Sequence, residues 1–561
     1  MAQKTSSPAP QKSGFISGRH AFSLFFVATS LIAPAFIMGS GGFDLPLQSL
    51  WIRHFSAQFW QGNLYPRWLM DMFAGNGSPV FFYYPPLTYF ITAFFTFLPS
   101  EDAFIYTSIS VSAWLALIIS AFGFYSWMKE ETNNANAALL GSVLYIAAPQ
   151  NMGWNFYCAM LLSSVWAYAW VPLLLRYAKK LALGKPHGIV GFAFFLCLLI
   201  MTNLPMTLMW GPIAVAYCLL YVNWRYPVKS ILKLGAALLL GFGMSAIYLL
   251  PALALAGAAL VNTHWIQPRD LLVFTFDTPN MAILTALWFA LAALILLYGK
   301  IILPISRKLL FFPAIGIAAL LMMVPVSSFI WKHVAILKIL QFPERLFTVP
   351  FLALAVLAAM ILPRFRPLAY GLCLICIGCV FALSYLVRYS VEDYRDDHPK
   401  EYALYQLNIE QYWNYLTAEN LVKRYYSEEG IKEVQQHPDP VERIEGDAKT
   451  EIKKWQPRDM AIEYTASHPS TLRIRQFYFP GFTATFNDQA ISLKREESTG
   501  QIIVMLPAGE GMIHLQLTRL MPELVGIEIS LLSIAIMLII LLTSIKKELS
   551  LVPTQKKYAP R

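Results

Sequence analysis

Long apolar runs recur along most of this chain, and they restrict its fold more than any motif does. Ala21–Met38, Asp102–Met128, Met206–Val222 and Ile527–Ile545 are each long enough to cross a hydrocarbon layer of about 30 Å as a helix. Within such a layer every backbone N–H and C=O must be bonded inside the segment, so only helices and closed barrels span it. Composition agrees, with 57% of the 561 residues hydrophobic and 14% charged. Soluble domains carry about 45–50% apolar and about 25% charged residues. The expected fold class is a polytopic α-helical membrane protein.

Charge then orients the spans. The net charge is +10, yet the basic residues sit beyond the ends of apolar runs. They form no stripe that would track nucleic-acid phosphates. Lys4, Lys12 and Arg19 place the N-terminus in the cytoplasm, so the polar loop after the first span lies outside. The same N-terminal pattern also fits a cleaved signal peptide, which leaves the later topology unchanged.

Leu87–Leu98 is short, is bracketed by Pro86 and Pro99, and reads as an interfacial or re-entrant helix. On that reading, Lys129, Arg176, Lys179, Lys180, Lys185, Arg225, Lys229, Lys233, Lys300, Arg307, Lys308, Arg364, Arg366, Lys546 and Lys547 all fall inside. The outside connections 150–158 and 202–205 contain no Lys or Arg. The charges therefore predict about twelve spans with both termini cytoplasmic. The order is a disordered tail (1–18), a transmembrane domain (19–388) with an external loop (41–101), an external soluble domain (389–525), a final span (526–545) and a cytoplasmic tail (546–561).

In the soluble segment, the part up to Lys454 is charged and reads as helical or irregular. Beyond it, Met460–Ala466, Thr471–Tyr478, Thr483–Asn487, Ile502–Leu506 and Met512–Thr518 alternate as strands, with turn signals at Asn487-Asp488 and Ser498-Thr499-Gly500. A small β-sandwich within an α+β domain is expected. The acidic pairs Glu392-Asp393 and Asp396-Asp397 read as a solvated face rather than metal ligands. Of the six cysteines, five lie within apolar spans and none in the soluble segment, so no disulfide framework is expected. Cys373, Cys376 and Cys379 follow helical spacing and read as small packing residues rather than a metal site.

No P-loop, H-E-x-x-H or G-x-S-x-G is present. The candidate chemistry lies instead in Gly41–Pro86, a loop far longer than a connector needs, and in polar residues gathered at the same face. Asp44 follows the first span closely and suits a general base acting on a hydroxyl, or equally a helix cap. Arg345 suits a phosphate grip, or pairing with Glu344 or lipid headgroups. Arg67 and Arg269 are further phosphate candidates. Gln48, His54, Tyr65, Trp68, Asp71, Tyr84, Asn155, Tyr157, Asn203, His264, Gln341 and Glu344 are candidates for the surrounding pocket. The aromatic residues suit sugar stacking or a membrane-interface belt alike. No metal ligand set and no cofactor is expected.

Gly62-Asn-Leu-Tyr-Pro-Arg-Trp68, Gly75-Asn-Gly77-Ser-Pro79, Tyr84-Pro-Pro86, Leu249-Leu-Pro251, Gln341-Phe-Pro-Glu-Arg345, Tyr478-Phe-Pro-Gly481 and Gly509 resemble the pattern of bacterial 6-pyruvoyl-tetrahydropterin-synthase-related membrane proteins. Those resemble GT-C glycosyltransferases. The resemblance implies a GT-C-like fold in a bacterial inner membrane, a polyprenyl-phosphate-linked sugar as donor, and a lipid, glycan or protein acceptor outside the cytoplasm. It places Asp44 at the acidic position after the first span. Gln48 and Asn203 stand where such proteins often carry His, Glu344 where Trp is usual, and Tyr157–Ser164 lacks their Arg and Glu. Two other readings stay open: a flippase or transporter of lipid-linked glycans, and an inactive glycan-binding scaffold.

Overall fold

The computed structural model describes residues 16–39, 41–96, 102–258, 311–323, 325–340, 343–361, 366–386 and 439–551. Helices dominate the first part: α1 (Gly18–Met38), α2 (Leu45–Trp60), α3 (Leu87–Ala93), α4 (Asp102–Thr132), α5 (Ala135–Ile146), α6 (Leu162–Ala182), α7 (Gly188–Thr202), α8 (Leu204–Tyr221), α9 (Val228–Met244), α10 (Ala246–Ala254), α11 (Phe311–Leu321), α12 (Thr348–Ile361) and α13 (Arg366–Leu386). Local sequence sets their ends. The Ser17 side chain accepts from His20 N and opens α1, while Gly39 at φ +82° closes it. Asn134 and Asn203 cap α5 and α8 in the same way.

Among the described residues, five helical stretches are long and apolar enough to cross a membrane: Gly18–Met38, Phe104–Thr132, Leu204–Tyr221, Pro343–Met360 and Met521–Lys546. A sixth forms if α9 and α10, bent by 71° at Ser245, are one broken span. Helix α3 has seven residues, about 10 Å of rise, too short to cross. The expected span Met281–Tyr298 lies outside the described residues, as do the acidic pairs at 392–397. Helices α6 and α12 are buried along most of their length, and Gly141 of α5 lets Ala359 of α12 approach closely. By contrast Leu531, Leu532, Ile539 and Leu542 stay exposed on the last helix, the pattern of a surface that faces lipid.

The C-terminal part holds nine strands, β1 (Val441–Glu445), β2 (Lys449–Gln456), β3 (Asp459–Ala466), β4 (Ser470–Phe477), β5 (Phe482–Phe486), β6 (Gln489–Ile491), β7 (Leu493–Arg495), β8 (Gln501–Leu506) and β9 (Gly509–Leu517), followed by α14 (Met521–Leu551). They make two antiparallel sheets, ordered β1-β4-β8-β7 and β2-β3-β9-β5-β6. The buried faces of β3, β4, β8 and β9 share one core of Met460, Ile462, Leu472, Ile474, Val504 and Leu515. Asn487 and Asp488, at φ +51° and +64°, form the β5–β6 turn. The expectation of helix or irregular chain up to Lys454 is corrected over β1 and most of β2. Both are edge strands with charged residues on both faces, which guards an edge against pairing and erases the alternation that marks a strand.

The loop between α1 and α4 joins the two parts. Trp68 Nε1 donates to Gln476 Oε1 at 2.7 Å, and Gln476 Nε2 donates to Gly75 O at 2.7 Å. Phe477 N donates to Asn76 O, and the Trp68 ring lies against Phe479 and Phe482. Gly77, at φ +84°, passes so close beneath Trp68 that a Cβ there would overlap the ring. On the other side Tyr248 Oη donates to Tyr83 O and Tyr83 Oη to Leu255 O.

Candidate functional site

Asp44 is held in place by backbone. Gly42, at φ +119°, passes against Met160, where a Cβ would come within 2.8 Å of the Met160 nitrogen. That contact lets Phe43 N and Asp44 N donate to Cys158 O and Ala159 O. Asp44 then stands at the N-cap of α2 without capping any amide of that helix with its side chain. Gln48, one turn on, is buried and accepts from Tyr89 Oη at 2.8 Å.

The segment gripping Asp44 is a π-helix, Pro149–Cys158, a rare form that recurs at functional sites. Tyr157 Oη donates to Leu31 O at 2.7 Å and ties this segment to α1. Asn155 is buried here, and so are Gln150 and Asn151. The two amide atoms of Asn151, Gln150 Oε1 and Asn155 Nδ2 are buried without a hydrogen-bond partner among the described residues.

Tyr84 is the meeting point. Its hydroxyl lies 3.1 Å from Ser163 Oγ, and Asn203 Nδ2 donates to Ser163 Oγ and Ser164 Oγ, each at 3.3 Å. Burial raises the Tyr84 phenol above its ordinary value, the Ser163 hydrogen bond and the Arg345 charge lower it, and the Asp44 charge raises it. The carboxylate and the guanidinium, distant in sequence, thus act on one hydroxyl. Asp44, Tyr84, Glu344 and Arg345 are half-buried, whereas Gln48, Tyr89, Ser163 and Asn203 lie buried behind them. Such an arrangement offers a base, a cation and a protonated phenol in one electrostatic neighbourhood, with a neutral hydrogen-bond network fixing the phenol.

Other candidates fall elsewhere. Arg67 is buried; its Nη2 donates to Ile247 O at 2.6 Å and its Nε pairs with Glu523 at 3.1 Å. It stacks 3.8 Å over Tyr65, whose phenol burial pushes up to about 12. Both side chains are thus engaged in contacts within the protein. Trp68, fully buried against the β domain, offers no face to a sugar. His54 sits buried ten residues along α2 from Asp44, about 15 Å of helical rise. Asp71 is exposed at the start of the Met72–Gly75 turn. His264, Arg269 and Gln341 lie outside the described residues.

Sequence reasoning missed Ser163, Ser164, Tyr89, Gln150 and Asn151. Small hydroxyls inside or beside apolar runs carry no pattern, and a π-helix has no sequence signature. Among the described residues no three His, Cys, Asp or Glu side chains gather as a metal centre does, and the six cysteines are free.

A family model described as 6-pyruvoyl-tetrahydropterin synthase related domain, membrane protein, matches residues 81–391. No curated protein matches the chain.

Proposed function

Because this chain belongs to the 6-pyruvoyl-tetrahydropterin synthase related family of membrane proteins, we propose that it is a GT-C-type glycosyltransferase acting at the outer membrane surface. It moves a sugar from a polyprenyl-phosphate carrier to a lipid, glycan or protein acceptor. In this reading the chain crosses a bacterial inner membrane about twelve times with both termini cytoplasmic. The observation that carries it is that the charges of Asp44 and Arg345 both act on the half-buried Tyr84 hydroxyl, which lies beside Ser163 and Asn203. Asp44 takes the proton of the acceptor hydroxyl as that oxygen attacks the anomeric carbon. The sugar–phosphate bond breaks, and Arg345 stabilises the charge gathering on the departing phosphate. Tyr84, kept protonated, offers its O–H to an anionic oxygen at the site, while the Arg345 guanidinium serves only as a donor.

A transporter reading draws on the α9–α10 break, since transporters build midplane ion sites at broken helices. Here, however, Ile247 N at the break is already bonded to Ser530 Oγ at 2.8 Å, and Gly243 O accepts from the same hydroxyl at 3.2 Å. The break is thereby closed by protein.

The test is a profile of cell-envelope glycans and glycolipids with the gene deleted and with variants restored. Asp44→Asn should lower product roughly 10²–10⁴-fold, the usual contribution of a general base, at unchanged protein level. Arg345→Ala should weaken use of the lipid-linked donor. Normal product in the Asp44→Asn strain would sink the catalytic reading, and a missing glycan that stays lipid-linked inside would favour transport.

A further inference from the structure

At the opposite end of α6 from Ser163, about 28 Å away by helical rise, the chain turns through residues 184–187 into α7. A cavity of about 250 Å³ opens there, lined by Lys185, His187 and Gly188 of the turn, Lys233 of α9, and Ile540 and Ser544 of α14. Three features of it point to an anion.

The first is charge. Lys179 and Lys180 are bound to Glu131 and Glu130 at 2.8 and 3.3 Å. Lys185 and Lys233, by contrast, have no ion pair among the described residues. Lys233 Nζ hangs over the Gly184 turn, 3.5 Å from where a Cβ on that glycine would stand.

The second is backbone. His187 is the N-cap of α7 in a left-handed conformation, at φ +59°, and its side chain caps no amide of the helix. The first intrahelical bond runs from Gly191 N to His187 O. The Ile189 and Val190 amides therefore come before any i→i−4 partner, and both residues line the cavity. No acidic side chain stands in that first turn to satisfy them. A helix start with unmet amides beside two lysines is an anion cradle.

The third is the wall. Ile540 and Val190 make one side apolar, and α14, whose neighbouring Ile539 and Leu542 are exposed, forms the outer edge. A bound phosphate there has a path for acyl chains along α14, which a soluble anion does not need.

We propose that this cavity binds the phosphate headgroup of an anionic phospholipid, seated between α7, α9 and α14 on the face remote from Asp44. Cations near a membrane surface strengthen anionic-lipid binding by about 1 kcal/mol each, which converts to about fivefold in affinity per lysine.

Titrating a fluorescent phosphatidylglycerol against the detergent-solubilised full chain tests this. Lys185→Gln should weaken binding about fivefold and Lys185→Gln with Lys233→Gln about 30-fold, whereas Lys229→Gln, on the same face but outside the cavity, should leave it unchanged. Unlabelled phosphatidylglycerol should displace the probe, while phosphatidylcholine and inorganic phosphate should not. Full binding by the double variant overturns the proposal. Displacement by inorganic phosphate alone overturns the lipid assignment and leaves a free-anion site. Lys185 is exposed, so the single variant reads the same effect should the double variant fail to fold.

Discussion

Arg67 shows how one side chain can hold a large membrane protein together. Its guanidinium and the Glu523 carboxylate are both almost wholly buried, with side-chain exposures of 3% each. Arg458 reaches the same Glu523 oxygen at 3.1 Å. One carboxylate thus ties the first loop, the β domain and α14. Breaking a buried pair by removing one partner leaves an uncompensated charge and costs about 3–5 kcal/mol. Glu523→Gln should therefore lower thermal stability by about that amount and open the joint between loop and β domain to protease. Arg67→Lys should not rescue function, because an ammonium cannot reach Ile247 O and Glu523 in the same planar geometry. An unchanged melting temperature in Glu523→Gln would mean that the joint rests on the Trp68–Gln476 contact instead. An arginine in an aromatic loop reads alike as a phosphate ligand or an internal tie until its partner, far along the chain, is known. Asp44 and Arg345 were legible because each flanks a span, whereas Ser163 and Tyr89 were not.

At the level of elements, α14 does more than cross the membrane. Where α9 and α10 part at Ser245, a straight helix would bond Ile247 N to Gly243 O. Here Ser530 Oγ accepts from the former and donates to the latter, an interhelical substitute for the lost turn. Gly526 allows this approach, since a Cβ there would lie 2.6 Å from Ala246 O. Ser530→Ala should orphan the Ile247 N–H and cost about 1–3 kcal/mol. Hydrogen exchange at Ile247 and its neighbours should rise in that variant. Exchange at wild-type rate would show that the break satisfies itself. The apolar run of Ile231–Leu255 reads as one span because hydropathy does not register a bend. In the β domain the five strands with one buried face could be read from alternation alone. The edge strands β1 and β2 could not, because solvent reaches both of their faces and no period survives.

Among the described residues of the helical part, two groups of polar and charged side chains stand at opposite ends of α6. Glu130, Glu131, Arg176, Lys179 and Lys180 lock α4 to α6 at one end, and Lys185 and Lys233 lie beside them. Asp44, Tyr84, Ser163 and Arg345 gather at the other, next to the loop that carries the β domain. That separation of about 28 Å along α6 is close to the thickness of a hydrocarbon core. On the proposed topology, in which basic residues stay cytoplasmic, the β domain and Asp44 lie outside. Cysteine labelling checks this on the intact chain, whose own cysteines lie within or at the ends of helices. Lys494→Cys, on the exposed strand β7, should react with a membrane-impermeant maleimide in intact cells stripped of any outer barrier. Lys185→Cys should react only once the membrane is opened. The reverse order would place the β domain in the cytoplasm and remove Asp44 from any externally displayed acceptor. Labelling of both sites in intact cells would mean that α6 does not cross, and the two-ended distribution of charge would then need another cause.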